Sequence, residues 1–168
     1  MKDLKKYTII GIIWGLAAGT LSHFLYDWTK NNYIVGFFTP VNESVWEHIK
    51  LLFFPAFVYS LIMIIKFRRK YSCITSALCF GILAGALCIP LLFYAYTYVL
   101  GKNFLLLDIG TFFLSTVIAF WLSYRLTLAR RLEACTALLC ILMCILFAAF
   151  IFFTYHPPDM TLFKEQTF

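Results

Sequence analysis

Histidine and carboxylate side chains recur near the ends of the hydrophobic segments of this chain, in combinations that bind metals or move protons. Imidazole and carboxylate groups are ligands of zinc and other divalent ions, and without a metal they can form an acid–base relay. In a chain with only 13% charged residues, this grouping is the main clue to function. The residues concerned are His23, His48 and His156, accompanied by Asp27, Glu43, Glu47 and Asp108.

Membrane-spanning helices must position these side chains. The 168 residues are 62% hydrophobic and 20% aromatic, a composition typical of a multi-pass membrane protein rather than a soluble domain. A helix needs about 20 apolar residues to cross a hydrocarbon core of about 30 Å, and five segments are long enough. Their connectors are too short for a second domain, so we predict one compact all-α bundle over residues 1–168. The predicted spans are residues 7–26, 45–65, 72–100, 105–126 and 134–155.

The basic residues predict the orientation of the bundle. Most of the fourteen lysines and arginines fall at one end of the spans, as in the connector 66–70. Because cytoplasmic loops are rich in such residues, we predict a cytoplasmic N-terminus and an extracytoplasmic C-terminus. The net charge of +6 then reflects membrane topology, so we expect membrane lipids and no nucleic acid among the partners.

The histidines and their acidic neighbours lie at the extracytoplasmic end. His23 follows Lys6 by about 25 Å of helix, at about 1.5 Å per residue, so it should lie just inside the outer surface of the hydrocarbon. Asp108 precedes Arg125 by the same number of residues and should lie equally shallow. Ionisable groups at such depths are unfavourable unless paired, which indicates a reactive site or a pathway facing the bundle interior.

The densest polar motif, residues 37–50, should contain the start of the second long helix. Ser44 and Glu47 have the spacing of a capping box. Once the chain is helical, Glu43 and Glu47 are four residues apart and should share a face, with His48 beside them.

The last span ends at His156, where two prolines follow and stop the helix. They could turn the tail back across the mouth of the bundle and bring a third imidazole to the others. We therefore predict a site for a divalent metal such as zinc, open to water if it is catalytic. The predicted ligands are His23, Asp27, His48 and His156, with Glu47 or Glu43 as general base.

Other polar residues are predicted to line the path of a substrate or solute. Serine, threonine and tyrosine at helical spacing can face such a path, although in membranes they often only join helices. The candidates are Asn42, Ser44, Asp108, Tyr94 and Tyr98.

Three glycines recur every fourth residue on the first helix. Gly11, Gly15 and Gly19 form a stripe of small residues, which favours close approach of another helix. That helix could belong to the same bundle or to a second copy of the chain in a homo-oligomer.

A purely structural interpretation of the same residues is also open. Tryptophan and tyrosine favour membrane interfaces, and Trp28 and Trp46 are typical of an aromatic belt. On this interpretation Glu47 and His48 cap and anchor a helix, while Lys50 extends outward to the head groups.

The chain resembles a family of small bacterial integral membrane proteins defined only as a domain of unknown function, family 6512. The resemblance covers nearly the whole length and implies a helical bundle in the bacterial cell membrane. It implies no activity. The segments that carry it are Phe38–Pro55, the pair His23 and Asp27, Gly101–Phe104 with Asp108, Tyr155–Pro158, and Leu162 with Phe163.

Three classes of function fit these observations. The first hypothesis is a metal-dependent hydrolase or transferase acting on a lipid or lipid-linked substrate. The second is a small transporter, a substrate-binding membrane subunit or a proton-coupled permease that uses the same residues. The third is a structural or regulatory membrane protein that contacts a partner subunit.

Overall fold

The computed structural model describes residues 2–165, which form helices, turns and an isolated bridge. Five helices are long, and each begins and ends within five residues of its predicted bounds. A short helix after the first span was not predicted. The helices are α1 (Lys2–Trp28), α2 (Tyr33–Gly36), α3 (Val45–Phe67), α4 (Ile74–Leu100), α5 (Leu105–Ala129) and α6 (Thr136–Phe153), with 3₁₀ turns at Glu133–Cys135 and Thr161–Phe163.

Local sequence signals set the helix ends nearest the candidate site. Ser44 is the N-cap of α3, and its hydroxyl accepts a hydrogen bond from the Glu47 backbone N–H at 3.3 Å. The capping box is only half formed, because the Glu47 carboxylate binds other partners. Helix α4 ends at Leu100 and is capped by Gly101, whose φ of +73° suits glycine, and the chain then enters α5.

Helix α3 is central and packs against α1, α4 and α5. Helix α6 adds phenylalanine rings to the same core. The Phe150 ring centroid lies 5.0 Å from that of Phe53 and 5.7 Å from that of Phe54. Neither Phe53 nor Phe150 has exposed surface. Aromatic pairs at these separations pack favourably, so this cluster holds α6 to the centre of the bundle.

The glycine stripe of α1 packs within the chain. A methyl group at Gly11 would lie 2.6 Å from the Phe120 ring, and one at Gly19 would lie 2.5 Å from the Leu51 carbonyl oxygen. The Leu51 carbonyl receives no helical hydrogen bond from Pro55, because proline has no N–H. Since Gly19 has no side chain, α1 can approach this carbonyl closely. Because all three glycines are buried, the stripe is occupied inside the bundle. Self-association of the chain stays a prediction.

The outer surface of the bundle is strongly apolar. Ile65, Val99 and Leu106 have 76%, 78% and 82% of their surface exposed. Soluble proteins rarely expose apolar surface on this scale. All five long helices are long and apolar enough to cross a membrane. The predicted all-α fold with five candidate spans is therefore confirmed, while the orientation of the termini and the identity of the membrane stay predictions.

One end of the bundle, which we call the site end, gathers the predicted site residues. Glu43, just before α3, faces His23 near the end of α1. Tyr96 near the end of α4 donates a hydrogen bond to Asp108 near the start of α5. The alternating directions of the helices place the basic connector after α3 at the opposite end.

Candidate metal centre

Three of the predicted site residues converge at the site end. His23 comes from α1, His48 from the first turn of α3, and Glu43 from the turn before it. The Glu43 Oε2 atom lies 3.3 Å from His48 Nε2 and 3.7 Å from His23 Nε2. One ligand atom of each residue lies within 4.8 Å of the other two, and within residues 2–165 no other group of three potential ligands meets this condition.

The two glutamates on either side of the α3 N-cap face different directions. Because Ser44 is the N-cap, Glu43 precedes the helix and does not follow helical spacing. Glu43 faces the two histidines, whereas the Glu47 carboxylate lies 2.7 Å from Lys50 Nζ. The prediction that Glu43 and Glu47 share a face is therefore wrong.

The backbone fixes which nitrogen of His48 is available to a ligand. His48 Nδ1 lies 2.8 Å from the Ser44 carbonyl oxygen. A carbonyl oxygen only accepts hydrogen bonds, so Nδ1 carries a hydrogen and, in the neutral ring, Nε2 carries the lone pair. That lone pair faces the Glu43 carboxylate. A proton or a metal ion between the two atoms would turn this contact from repulsive to attractive.

Glu43 is held as a carboxylate. When His48 is protonated, its Nε2–H donates a hydrogen bond to Glu43, and this hydrogen bond is the main cause that lowers the pKa of the Glu43 carboxyl below its ordinary value, against the opposing effect of partial burial. His23 acts in the same direction. The Glu43 side chain is 46% exposed, compared with 31% for His23 and 26% for His48. The cluster is therefore within reach of water.

Lys50 and Glu47 form a separate pair that is sealed from solvent. Lys50 Nζ donates hydrogen bonds to Glu47 at 2.7 Å, to Thr154 Oγ1 at 2.6 Å and to the Gly36 carbonyl at 3.0 Å. Glu47 also accepts from the Val41 N–H at 3.0 Å. Lys50 has no exposed surface, so the interpretation that it extends outward is wrong. Glu47 is outside the histidine cluster, which removes its support as a general base there.

Asp108 joins the site from α5. It borders the same chambers as His48, and the Tyr96 hydroxyl donates a hydrogen bond to its Oδ1 atom. The sequence had suggested Tyr94 and Tyr98 on α4, but Tyr98 is 92% exposed on the outer surface. Tyr96 lies two residues from each of them and so points in a nearly opposite direction. The spacing of the tyrosines predicted the helix but not which of them faces the site.

Two predicted residues lie beside the cluster without joining it. Asp27 and Asn42 border a small chamber together with His23 and Glu43. Asp27 is exposed and is not in the group of converging ligand atoms. Ser44, by contrast, is buried at 1% exposure and acts as the helix cap.

His156 is not brought to the cluster. Its ring stacks on Phe152 with centroids 5.4 Å apart, and the residue is exposed. The tail beyond it does turn back to the start of α3. There the Phe163 ring lies 4.8 Å from that of Trp46, and Glu165 bridges to Ser44.

Three chambers meet at Glu43. A lateral chamber of about 470 Å³ lies between α1, α3 and α5. A polar chamber of about 130 Å³ lies between the end of α1 and the turn before α3, and an inner chamber of about 30 Å³ lies between α3, α4 and α5. Glu43 borders all three. The inner chamber has room for a water molecule beside His48 and Asp108.

Two of the separations within the cluster match those of a zinc site. A tetrahedral zinc ion with ligands at about 2.0–2.2 Å holds the ligand atoms about 3.4 Å apart. The separations of 3.3 Å and 3.7 Å from Glu43 lie close to this value. Two histidines and one glutamate also form a known catalytic ligand set, which leaves a fourth position open. The His48–Ser44 hydrogen bond supplies the outer support that metal-binding histidines usually have.

Comparison with known proteins decides the family. The sequence profile described as "Family of unknown function (DUF6512)" matches residues 1–168. The chain belongs to this family. The match confirms the resemblance seen in the sequence, while the bacterial origin that it implied stays a prediction. No curated protein and no solved structure matches the chain, so the functional argument rests on the geometry of the site.

Proposed function

We propose that His23, Glu43 and His48 bind a divalent metal ion such as zinc, and that the protein is a membrane hydrolase or transferase acting on a lipid or lipid-linked substrate. The observation that carries this proposal is the convergence of three ligand atoms beside a largely apolar chamber. A bound cation would polarise a substrate carbonyl and lower the pKa of a water molecule.

Asp108 is the best candidate for the general base. It borders the inner and lateral chambers together with Glu43 and His48. During ester hydrolysis, Asp108 would accept a proton from the water whose oxygen bonds to the acyl carbon. It would return the proton to the leaving alkoxide as the acyl C–O bond breaks. In a transferase, an acceptor hydroxyl would take the place of that water.

The walls of the lateral chamber support a lipid substrate. Phe24, Leu105 and Ile109 border it, and they are 47%, 60% and 55% exposed on helices with apolar outer surfaces. A binding site with apolar walls and a few convergent polar groups is the usual arrangement for a small apolar ligand. An acyl chain could therefore lie against the walls while its polar end reaches the cluster.

Metal content is the first test. The protein is purified in detergent without chelators, and zinc is measured by elemental mass spectrometry in wild type and in His23→Ala/His48→Ala. We expect about one equivalent in wild type and loss in the double variant, because removing two of three ligands leaves Glu43 alone.

His156→Ala is the matched control, because this histidine lies at the site end but outside the cluster. It should retain its zinc. Absence of metal from wild type, or equal loss in the control, would overturn the proposal.

A second candidate function uses the same residues without metal. His48 contacts Glu43, Tyr96 donates a hydrogen bond to Asp108, and Glu43, His48 and Asp108 border the same inner chamber. Titratable groups gathered in this way favour a proton relay in a transporter or permease. Solute-coupled proton uptake into liposomes by zinc-free protein would support this alternative. A partner-binding role is the third alternative, and it predicts neither metal nor flux.

A further inference from the structure

The lateral and polar chambers share one boundary, formed by His23, Phe24 and Glu43. The two chambers differ in polarity. The wall of the lateral chamber is mostly apolar surface, to which Phe24, Ile109 and Phe112 contribute, whereas Asp27 and Asn42 border the polar chamber. An amphiphilic molecule that lies across this boundary would have its apolar end in the lateral chamber and its polar end in the polar chamber. The bond that joins the two ends would then lie beside the cluster.

The packing of α1 against α5 explains where the lateral chamber opens. A methyl group at Gly15 would lie 3.1 Å from Thr116, and one at Gly19 would lie 2.6 Å from the Phe112 ring, so the helices touch there. Beyond Gly19 the glycine stripe ends, and the larger side chains of Phe24 on α1 and Leu105 on α5 border the chamber. Both are exposed, so the chamber reaches the surface of the bundle between α1 and α5.

The charge of the chambers selects against an anionic head group. Asp27, Glu43 and Asp108 border them, and none of the described residues that border them is lysine or arginine. Even with a divalent ion bound, three carboxylates outnumber its two positive charges. Phosphate groups in proteins are usually bound by arginine and lysine, which supply paired donors and charge.

The volume limits the number of acyl chains. About 470 Å³ falls within the range of cavities that enclose one small ligand, about 300–1,000 Å³. The adjoining polar chamber, at about 130 Å³, leaves room for a small head group.

Resting on the proposed function, we propose that the substrate is an uncharged, single-chain acyl ester or amide with a small polar head. It enters sideways between α1 and α5. The acyl chain occupies the lateral chamber, the hydroxyl-bearing head occupies the polar chamber beside Asp27 and Asn42, and the acyl carbonyl lies at the cluster.

Competitive lipid binding tests this inference independently of turnover. Zinc-loaded and zinc-free protein in detergent is offered three lipids with the same oleoyl chain: monooleoylglycerol, lysophosphatidic acid and dioleoylglycerol. Native mass spectrometry counts the bound molecules of each. We expect monooleoylglycerol to bind at least tenfold more tightly than either competitor.

Two matched variants test the route of entry. Ile109→Trp places a bulky ring in the lateral chamber, whereas Leu106→Trp places the same ring on the outer surface of the same helix, where the native side chain is 82% exposed. We expect Ile109→Trp to lower monooleoylglycerol binding at least tenfold with zinc content unchanged, and Leu106→Trp to bind as wild type does.

The outcomes separate the two proposals. Equal or tighter binding of lysophosphatidic acid or dioleoylglycerol, or full binding by Ile109→Trp, overturns this inference while leaving a measured zinc site intact. Absence of zinc overturns the proposed function, whatever lipid binds. Tight monooleoylglycerol binding with bound zinc supports both, and release of oleate from it then identifies the reaction.

Discussion

Two acid–base pairs flank the start of α3, and water reaches only one of them. Glu47 and Lys50 are 3% and 0% exposed, and Lys50 donates to carbonyl and hydroxyl groups as well as to the carboxylate. Glu43 and His48 are 46% and 26% exposed; Glu43 borders all three chambers, and His48 borders the inner and lateral ones. The pairs use similar chemistry at neighbouring positions in the sequence.

The difference shows how surroundings assign a role to an ionisable pair. Buried charges are tolerated when they are paired and hydrogen-bonded, and the sealed pair has further partners in α2, in the segment between α2 and α3, and at the C-cap of α6. The open pair leaves a histidine lone pair facing a carboxylate. The sealed pair therefore stabilises the fold, and the open pair is the one that our proposed function uses.

The strongest way to break this comparison is to remove one charge from each pair. Lys50→Met keeps the length of the side chain but leaves Glu47 buried without its cation. We expect the free energy of unfolding to fall by about 3–5 kcal/mol, because breaking a buried pair strands the other charge. Thermal unfolding in detergent measures the change.

Two further variants serve as controls for Lys50→Met. Glu43→Gln removes a charge from the open pair and should change the free energy of unfolding by at most about 1 kcal/mol, since water can replace the lost interaction. Lys50→Met/Glu47→Gln should recover part of the loss. Equal destabilisation by Lys50→Met and Glu43→Gln would contradict the distinction between the pairs.

The fold was largely predictable because long apolar segments leave a membrane chain few alternatives. Each predicted span is long enough to cross a bilayer, and the positions of the charged connectors separate the spans. Helix α2 was missed because Tyr33–Gly36 is only four residues long and is capped by Asn32, a signal too local to stand out.

The site was predictable by residue type but not by direction. The sequence indicated His23, His48 and Glu43, yet it placed Glu43 on a helical face, because only the capped helix shows that Glu43 precedes it. It assigned Lys50 to the surface, because the oxygens that surround its amine come from distant parts of the chain.

An intermediate effect on stability should follow from moving α1, which carries His23 of the metal cluster and no member of the sealed pair. A methyl group at Gly19 would meet the Leu51 carbonyl and the Phe112 ring, so Gly19→Ala must push α1 outward. Overpacking of this kind reduces stability by about 1–3 kcal/mol. His23 lies one turn further along, so zinc content should also fall. Thermal unfolding and elemental analysis measure the two effects.

Gly110→Ala is the matched control for Gly19→Ala. A methyl group there would meet no atom within 4 Å, and helix propensity favours alanine over glycine by about 1 kcal/mol. It should leave stability equal or slightly higher and zinc content unchanged. If Gly19→Ala retains wild-type zinc despite the loss of stability, the position of His23 does not control the metal site.

The smallest expected effect on stability concerns Tyr96, which orients Asp108 rather than contacting the cluster. Tyr96→Phe removes one hydrogen bond at a half-buried position, so the free energy of unfolding should fall by only about 0.5–1.5 kcal/mol. Zinc content should not change. If Asp108 is the base, hydrolysis of an acyl ester should nevertheless slow by about 10–100-fold, as for other outer partners of reactive groups. Tyr98→Phe, on the outer surface, should have neither effect. A wild-type rate in Tyr96→Phe would show that this hydrogen bond does not position Asp108 for catalysis, while leaving the histidine–glutamate cluster in place.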